Sequence, residues 1–319
     1  MTEMGMRSRE SKIELVDRVL GGEPVDRPPV SLWYHFGVQH GDGPRFARLA
    51  LDSFRSYDFD FLKVMNDYFY PMPEGLDAVR TGEDLRRIVR FDVERSPWQE
   101  QFRALEVIGK ELRGKAYFLD TVFDPWHTLK RALAGEHIGP LMDSEPDAVQ
   151  DALGVITENL IAYCQRSLEI GSAGIFLSVP ASREFTSRDR FLTFVKPFAR
   201  RVLEAVSGRG RMNVAHIHGD DLYFDDCLDF PAQVFNWWDR GPGGPSLQSV
   251  KKKIPGCVMG GIDHKIVTRK TGPFLREHVR EGKMLGGKDR FFLANGCSID
   301  ASVNPLMIRA IVEEARRAV

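Results

Sequence analysis

The chain alternates from end to end. Short runs rich in β-branched and aromatic residues recur along it, and segments with helical spacing separate them, which leaves few folds open. In the first half the runs are PVSLWY (29–34), FLKVMN (61–66), YFLDTVF (117–123) and GIFLSV (174–179). The second half adds NVAHIH (213–218), QVFNWW (233–238), CVMGGI (257–262) and FFLANG (291–296). The clearest helices are AVQDALGVITENLIAYCQRSLEIG, with apolar residues at three-and-four spacing up to a glycine, and SRDRFLTFVKPFARRVLEAVSG, opened by a serine and closed by a glycine. Eight strands alternating with helices predict an α/β fold, a (β/α)8 TIM barrel forming one domain over residues 1–319. Several runs are too apolar on both faces for an open antiparallel sheet, so a doubly wound sheet is the main rival. The longest interval, residues 67–116, exceeds a simple crossover and predicts an insertion between the second and third strands, over the barrel mouth.

Composition removes several function classes. With 43% hydrophobic and 28% charged residues the chain can bury a large core, and its formal net charge of −1 carries no nucleic-acid footprint. No apolar stretch approaches the roughly 18 residues that span a bilayer. The first 20 residues are polar and amphipathic rather than signal-like, so a cytoplasmic protein with no membrane partner is expected. The four cysteines, Cys164, Cys227, Cys257 and Cys297, are far apart and show no CxxC pairing. Neither a disulfide framework nor a self-contained zinc finger follows, and any metal site must be assembled by the fold. GxSxG and HExxH are absent, and the glycine-rich RGPGGPS (240–246), read as a flexible loop, lacks the spacing of a dinucleotide or P-loop fingerprint.

In a barrel the chemistry gathers at the C-terminal ends of the strands. Those ends supply Tyr34 and His35, Asn66 and Asp67, Asp124, Ser178, His216 and His218, Asn236, Asp263 and His264, Asn295 and Cys297. Residues two apart on a strand share a face, so His216 and His218 project side by side into the mouth and can share one ion. Zinc takes nitrogen and thiolate ligands, and Cys297 offers a third. From the residues alone a plainer arrangement stands beside this one: His218 capping the turn before GDD, His216 packing in the barrel, and Cys297 serving as a small buried hydrophobe. Asp67 can orient a substrate, act as a base or cap a helix, and Ser178 can bond a ligand or shape a turn. His35, His40 and His127 read as surface or packing residues. Of the adjacent Trp237 and Trp238, one faces the mouth and the other is buried against a helix.

The order of motifs resembles the uroporphyrinogen decarboxylase superfamily over nearly the whole chain. It is carried by YDFDFLKVMNDYFYPMPEGL, PWHTLKRALAGE, GSAGIFLSVPASREFTSRDRFLTFVKPFARRV, HIHGDD, VMGGIDHK and FFLANGCSIDASVNPLMIRAIVEEA. The resemblance implies two functional groups: cofactor-free decarboxylases, and methylcobalamin:coenzyme M methyltransferases that use zinc to activate a thiol. Where the decarboxylases carry an Arg-Gln-Ala-Gly-Arg type motif whose arginines hold substrate carboxylates, this chain has LWYHFGVQHG. The decarboxylase aspartate is matched by Asp67 and its serine by Ser178, whereas its tyrosine falls at Ala132 and its late histidine at Cys297. Without the arginines an octa-acid tetrapyrrole lacks its cationic partners. The methyltransferases show His-x-Cys after the fifth strand and a cysteine after the last; here those positions read His216, His218 and Cys297.

The resemblance therefore implies a zinc-dependent methyltransferase that moves a methyl group between a methylated corrinoid (methylcobalamin), free or on a partner protein, and a small thiol or pterin acceptor. His216, His218 and Cys297 are then the Zn²⁺ ligands, and Asp67, Ser178 and Asn236 contact the acceptor or the corrin. A homodimer is implied as well. Two alternatives stay open: a metal-independent decarboxylase or lyase acting on a smaller substrate, with Asp67 stabilising a protonated intermediate and His218 moving protons, and a non-catalytic corrinoid- or tetrapyrrole-binding protein.

Overall fold

The computed structural model describes residues 10–38 and 40–318, so the first nine residues of the N-terminal segment lie outside the described residues. Eight strands form one sheet: β1 (Val30–Ser31), β2 (Leu62–Val64), β3 (Phe118–Phe123), β4 (Gly174–Pro180), β5 (Val214–His218), β6 (Val234–Trp237), β7 (Cys257–Ile262) and β8 (Phe291–Asn295). Every pairing is parallel, and the order β1-β8-β7-β6-β5-β4-β3-β2 is that of a barrel with one unpaired seam, between β1 and β2. β4, β6, β7 and β8 are buried at every residue, as strands covered by helices on one side and lumen on the other must be. The fold is a nearly closed, TIM-barrel-like α/β fold.

A side chain bridges the seam. The backbone N–H of Asp60 donates to Val30 O at 2.9 Å, and its carboxylate accepts from Val30 N at 2.9 Å. Arg27 forks onto the same carboxylate at 2.6 and 2.9 Å. Asp60 is fully buried, so the carboxylate takes the place of a ladder partner and the guanidinium offsets its charge.

Helix Lys12–Leu20 covers the opposite end from the mouth. It starts with a capping box in which Ser11 and Glu14 bond each other's backbone N–H groups. The Cys257 thiol, at the start of β7, donates to Val19 O at 3.3 Å, and the Tyr117 hydroxyl, just before β3, donates to Asp17 at 3.1 Å. Only the C-terminal ends of the strands are left to form a mouth.

The long interval after β2 holds a short helix Gly82–Leu85, a 3-10 turn Val93–Arg95 and the crossover helix Gln99–Leu112. Its irregular part is fastened to the long helix Pro146–Ile170 through Asn159, whose amide donates to the Tyr70 hydroxyl and to Val89 O and accepts from Phe91 N. No helix starts directly after Asp67, which removes the N-cap reading of that residue. The loop at 240–246 is tied down: Gly243 O accepts from Leu222 N, and Pro245 O accepts from the Trp237 indole at 2.9 Å. All four cysteines are free, and no described helix is long and apolar enough to cross a membrane.

Candidate metal centre

The strand register builds the site. In the parallel ladder Ser178 is the partner of His216, and His216 the partner of Asn236, so the three lie at one level of β4, β5 and β6. His218 sits opposite Pro180, one pleat closer to the mouth. The chain then turns at Gly219, whose φ of +114° and distance of 2.5 Å from a would-be Cβ to the Ser182 Cβ leave room for glycine alone.

Asn236 fixes the tautomer of His216. Its amide nitrogen donates to Met259 O at 3.0 Å and Asn295 O at 3.3 Å, so its oxygen is the atom presented to the imidazole. His216 Nδ1 meets that oxygen at 2.7 Å and must carry the proton there. Its Nε2 keeps a lone pair, the form a metal requires. Both residues are buried.

Cys297 arrives from the turn after β8. Asn295 holds that turn to the segment just after β1, its amide donating to Cys297 O at 2.6 Å and Trp33 O at 3.2 Å while its oxygen accepts from Trp33 N. The Cys297 sulfur lies 3.6 Å from His218 Nδ1, and the donor atoms of His216, His218 and Cys297 are all within 4.8 Å of one another. Burial alone would push the thiol up, but hydrogen bonding with both imidazoles brings it well below the ordinary thiol value. Burial likewise works against a charge on His218, yet the Cys297 sulfur raises it above the usual imidazole range, whereas burial lowers His216. A thiolate beside a neutral, tautomer-locked imidazole and a second imidazole is a donor set suited to zinc. Zinc is usually four-coordinate, so an ion held by these three donors would have room for a further ligand.

Two cavities flank this group. One, of about 180 Å³, is lined by Trp33, Lys63, Phe176 and Ser178 together with the three donors. The other, of about 150 Å³, is more polar and adds Glu184, Asp220, Trp238, His264 and Lys265. Ser178 turns a hydroxyl with no hydrogen-bond partner among the described residues toward the first cavity, while its backbone carbonyl accepts from Asp124 N at 3.0 Å. Trp238 lines the second cavity, and Trp237 is buried against the 3-10 turn Phe224–Cys227, with ring centroids 4.6 Å from Phe224.

Asp67 is not one of the three donors. Its carboxylate lies 2.7 Å from His35 Nδ1 and 3.1 Å from the Arg131 guanidinium. Burial would raise its pKa, but those two partners hold it below the usual carboxylate range, which makes it a fixed negative charge rather than a base. His35, set aside on sequence, thereby links Asp67 to the first cavity, which it lines. His127, also set aside, stacks parallel to His218 with ring centroids 6.1 Å apart, and its buried Nδ1 has no partner. Burial pushes it down to about 3, so it is a neutral imidazole. Lys63 was missed altogether; its one sequence signal is a cation inside an otherwise apolar strand.

Fold and site together define a parallel-barrel enzyme with a His-His-Cys group at its mouth that could bind zinc. The uroporphyrinogen decarboxylase (URO-D) family model matches residues 70–318, and the chain belongs to that family. Among solved structures it is similar to a methyltransferase from Methanosarcina mazei, with a TM-score of 0.76 at 18% identity over 96% of this chain and 98% of that one. A B12-independent methionine synthase from Shewanella sp. W3-18-1 is similar with a TM-score of 0.59 at 12% identity, covering 92% of each chain. At such identities the likeness speaks for the fold. No curated protein matches the chain in sequence.

Proposed function

We propose that this protein is a zinc-dependent methyltransferase that moves a methyl group between a methylated corrinoid, free or carried by a partner protein, and a small thiol or pterin acceptor. The observation that carries the reading is the donor set: the donor atoms of His216, His218 and Cys297 converge within 4.8 Å of one another beside a cavity of about 180 Å³. Bound there, zinc would supply Lewis acidity, lowering the pKa of an acceptor thiol so that it is a thiolate near neutral pH. The chain's own residues do the rest. Asn236 keeps the His216 proton on Nδ1, a positioning role behind the ligand rather than contact with the corrin. Ser178 offers its unpartnered hydroxyl to a polar group of the acceptor, and Asp67, ionised between His35 and Arg131, sets the charge of the opposite wall. The likeness to the Methanosarcina mazei methyltransferase supports this reading.

The test is metal content and metal dependence in the untagged protein, purified without chelator. About one zinc per chain is expected, together with zinc-dependent loss of the methyl group from methylcobalamin when thiols are supplied. Metal-free protein whose turnover survives chelation would overturn the proposal and return Asp67 and His218 to the metal-independent lyase reading.

A further inference from the structure

Lys63 is a buried cation without an ion-pair partner; Cys297, Asp67 and Asp120 act on it only through their charge. It is 6% exposed, on β2, and its ammonium lies 2.9 Å from the Met65 sulfur, 4.6 Å above the Phe176 ring and 5.3 Å from the Trp33 ring. No carboxylate lies within ion-pair distance among the described residues. The other lysine this deeply buried, Lys283, donates to the backbone carbonyls of Glu314 and Arg317. Arg27 has the Asp60 carboxylate.

Ring faces and a thioether do not offset the burial of an ammonium. A desolvated cation–π contact contributes about 2 kcal/mol, while taking an ion out of water costs several. Burial accordingly drags Lys63 down to about 7, against the opposing pull of Cys297, Asp67 and Asp120. Lys63 also lines the cavity of about 180 Å³ shared by Ser178, His216, His218 and Cys297. That space is roughly six waters' worth, enough for a molecule of a handful of heavy atoms. One of its walls is the donor group and another is the Lys63 chain, with the free Ser178 hydroxyl available as a second donor.

We propose that Lys63 is a specificity-determining residue, its ammonium anchoring a small oxyanion, such as a carboxylate, on a ligand whose other end lies at His216, His218 and Cys297. The proposal rests on the reading above that the acceptor occupies this cavity. It adds the requirement that the acceptor be acidic at the end away from the metal-binding atom.

The test compares 3-mercaptopropionate with the uncharged 2-mercaptoethanol on cobalt-substituted protein, read from the thiolate-to-cobalt absorption. Propionate, observed by saturation-transfer NMR on metal-free protein, gives a second readout that needs no metal. The wild type should bind the acidic thiol at least about tenfold more tightly, the scale of one hydrogen bond to a charged group. Lys63→Met should bring the two thiols within about twofold and abolish the propionate signal, and Lys63→Arg should keep it. Should Lys63→Met fail to fold, Lys63→Gln replaces it. Equal thiol affinities in the wild type, or a propionate signal that survives in Lys63→Met, would overturn the proposal. If propionate binds through Lys63 but no thiol reaches the metal, the methyltransferase reading fails and the anchor stands. If both thiols reach the metal alike and propionate does not bind, the anchor fails and that reading stands.

Discussion

Replacing Asn236 by leucine should weaken zinc binding by about 10–100-fold, and replacing it by aspartate should not. The Asn236 oxygen sits 2.7 Å from His216 Nδ1 in a buried setting, and its amide nitrogen bonds Met259 O and Asn295 O. Leucine removes the acceptor, so an Nδ1–H in the metal-binding tautomer is left buried and unpaired, which costs about 1–3 kcal/mol. The ring then gains nothing by keeping its proton on Nδ1, and the tautomer protonated on Nε2 cannot bind metal. That range corresponds to the loss commonly seen when a partner behind a metal ligand is removed. Aspartate keeps an acceptor for Nδ1–H. Both variants lose the two N–H donors to the neighbouring carbonyls, and aspartate also buries a carboxylate against those carbonyls, so their stabilities should differ and it is the zinc affinity of the folded protein that isolates the acceptor. The assay is competition for zinc against a chromophoric chelator, with urea midpoints confirming that each variant is folded. Equal zinc affinities for the two variants, or wild-type affinity in Asn236→Leu, would refute the reasoning.

Three further outcomes are expected. Cys297→Ser should lower zinc affinity by more than the ~10–100-fold of a supporting residue, because a thiolate ligand is lost outright; an unchanged affinity in the same competition assay removes Cys297 from the site. Arg27→Met should cost about 3 kcal/mol in urea unfolding, since it leaves the buried Asp60 carboxylate at the seam without its closest counter-ion; a change below about 1 kcal/mol would mean that the backbone contacts and Arg316, 3.7 Å from Asp60, suffice to close the barrel. Asp120 lies buried among Tyr163, Gln101 and Ser167, and burial raises its pKa to about 6 against those hydrogen bonds, from an ordinary value of 3.8. Between those values the native state holds a proton that the unfolded state has released, so Asp120 makes stability fall as pH rises through that window, by on the order of 2–3 kcal/mol. Asp120→Asn should flatten this slope in urea midpoints taken at about pH 4 and pH 6, and identical slopes would refute the assignment.

The periodic part of the structure was legible. All eight strands fall within a residue or two of the apolar runs, except that PVSLWY narrows to Val30–Ser31. There the chain leaves the ladder: the Trp33 backbone bonds the Asn295 side chain and Ile299 N, and Tyr34 keeps only an isolated parallel bridge to Ile299. His216 and His218 could be placed on one face because strand side chains alternate, and the resemblance added Cys297. The tautomer lock was not legible. Asn236 is 20 positions from His216 in sequence and meets it only because β5 and β6 pair in one register. His35, His127 and Lys63 were lost for the same reason: curvature, not spacing, turns β1, β2 and the turn after β3 toward the same lumen. Asp67 was found as a residue, but its state depends on Arg131, 64 positions away.

The same contacts bear on what the mouth can hold. A ligand with many carboxylates needs cations free to meet them, and the mouth offers few. Arg131 is engaged with Asp67 at 3.1 Å and packed between the Phe69 and Phe123 rings, at 4.9 and 4.3 Å from their centroids. Pulling it toward a ligand would leave Asp67, already partly buried, with His35 alone. Lys265 lies 3.8 Å over the Trp238 ring and 3.4 Å from Asp220. Each of these cations must give up an anion before it can take another, so each carboxylate of a polyacid would be bound at the expense of an existing pair. Lys63 has no such pair to break. The charge balance of the barrel therefore favours a ligand with one buried acidic group over one that spreads several across the mouth.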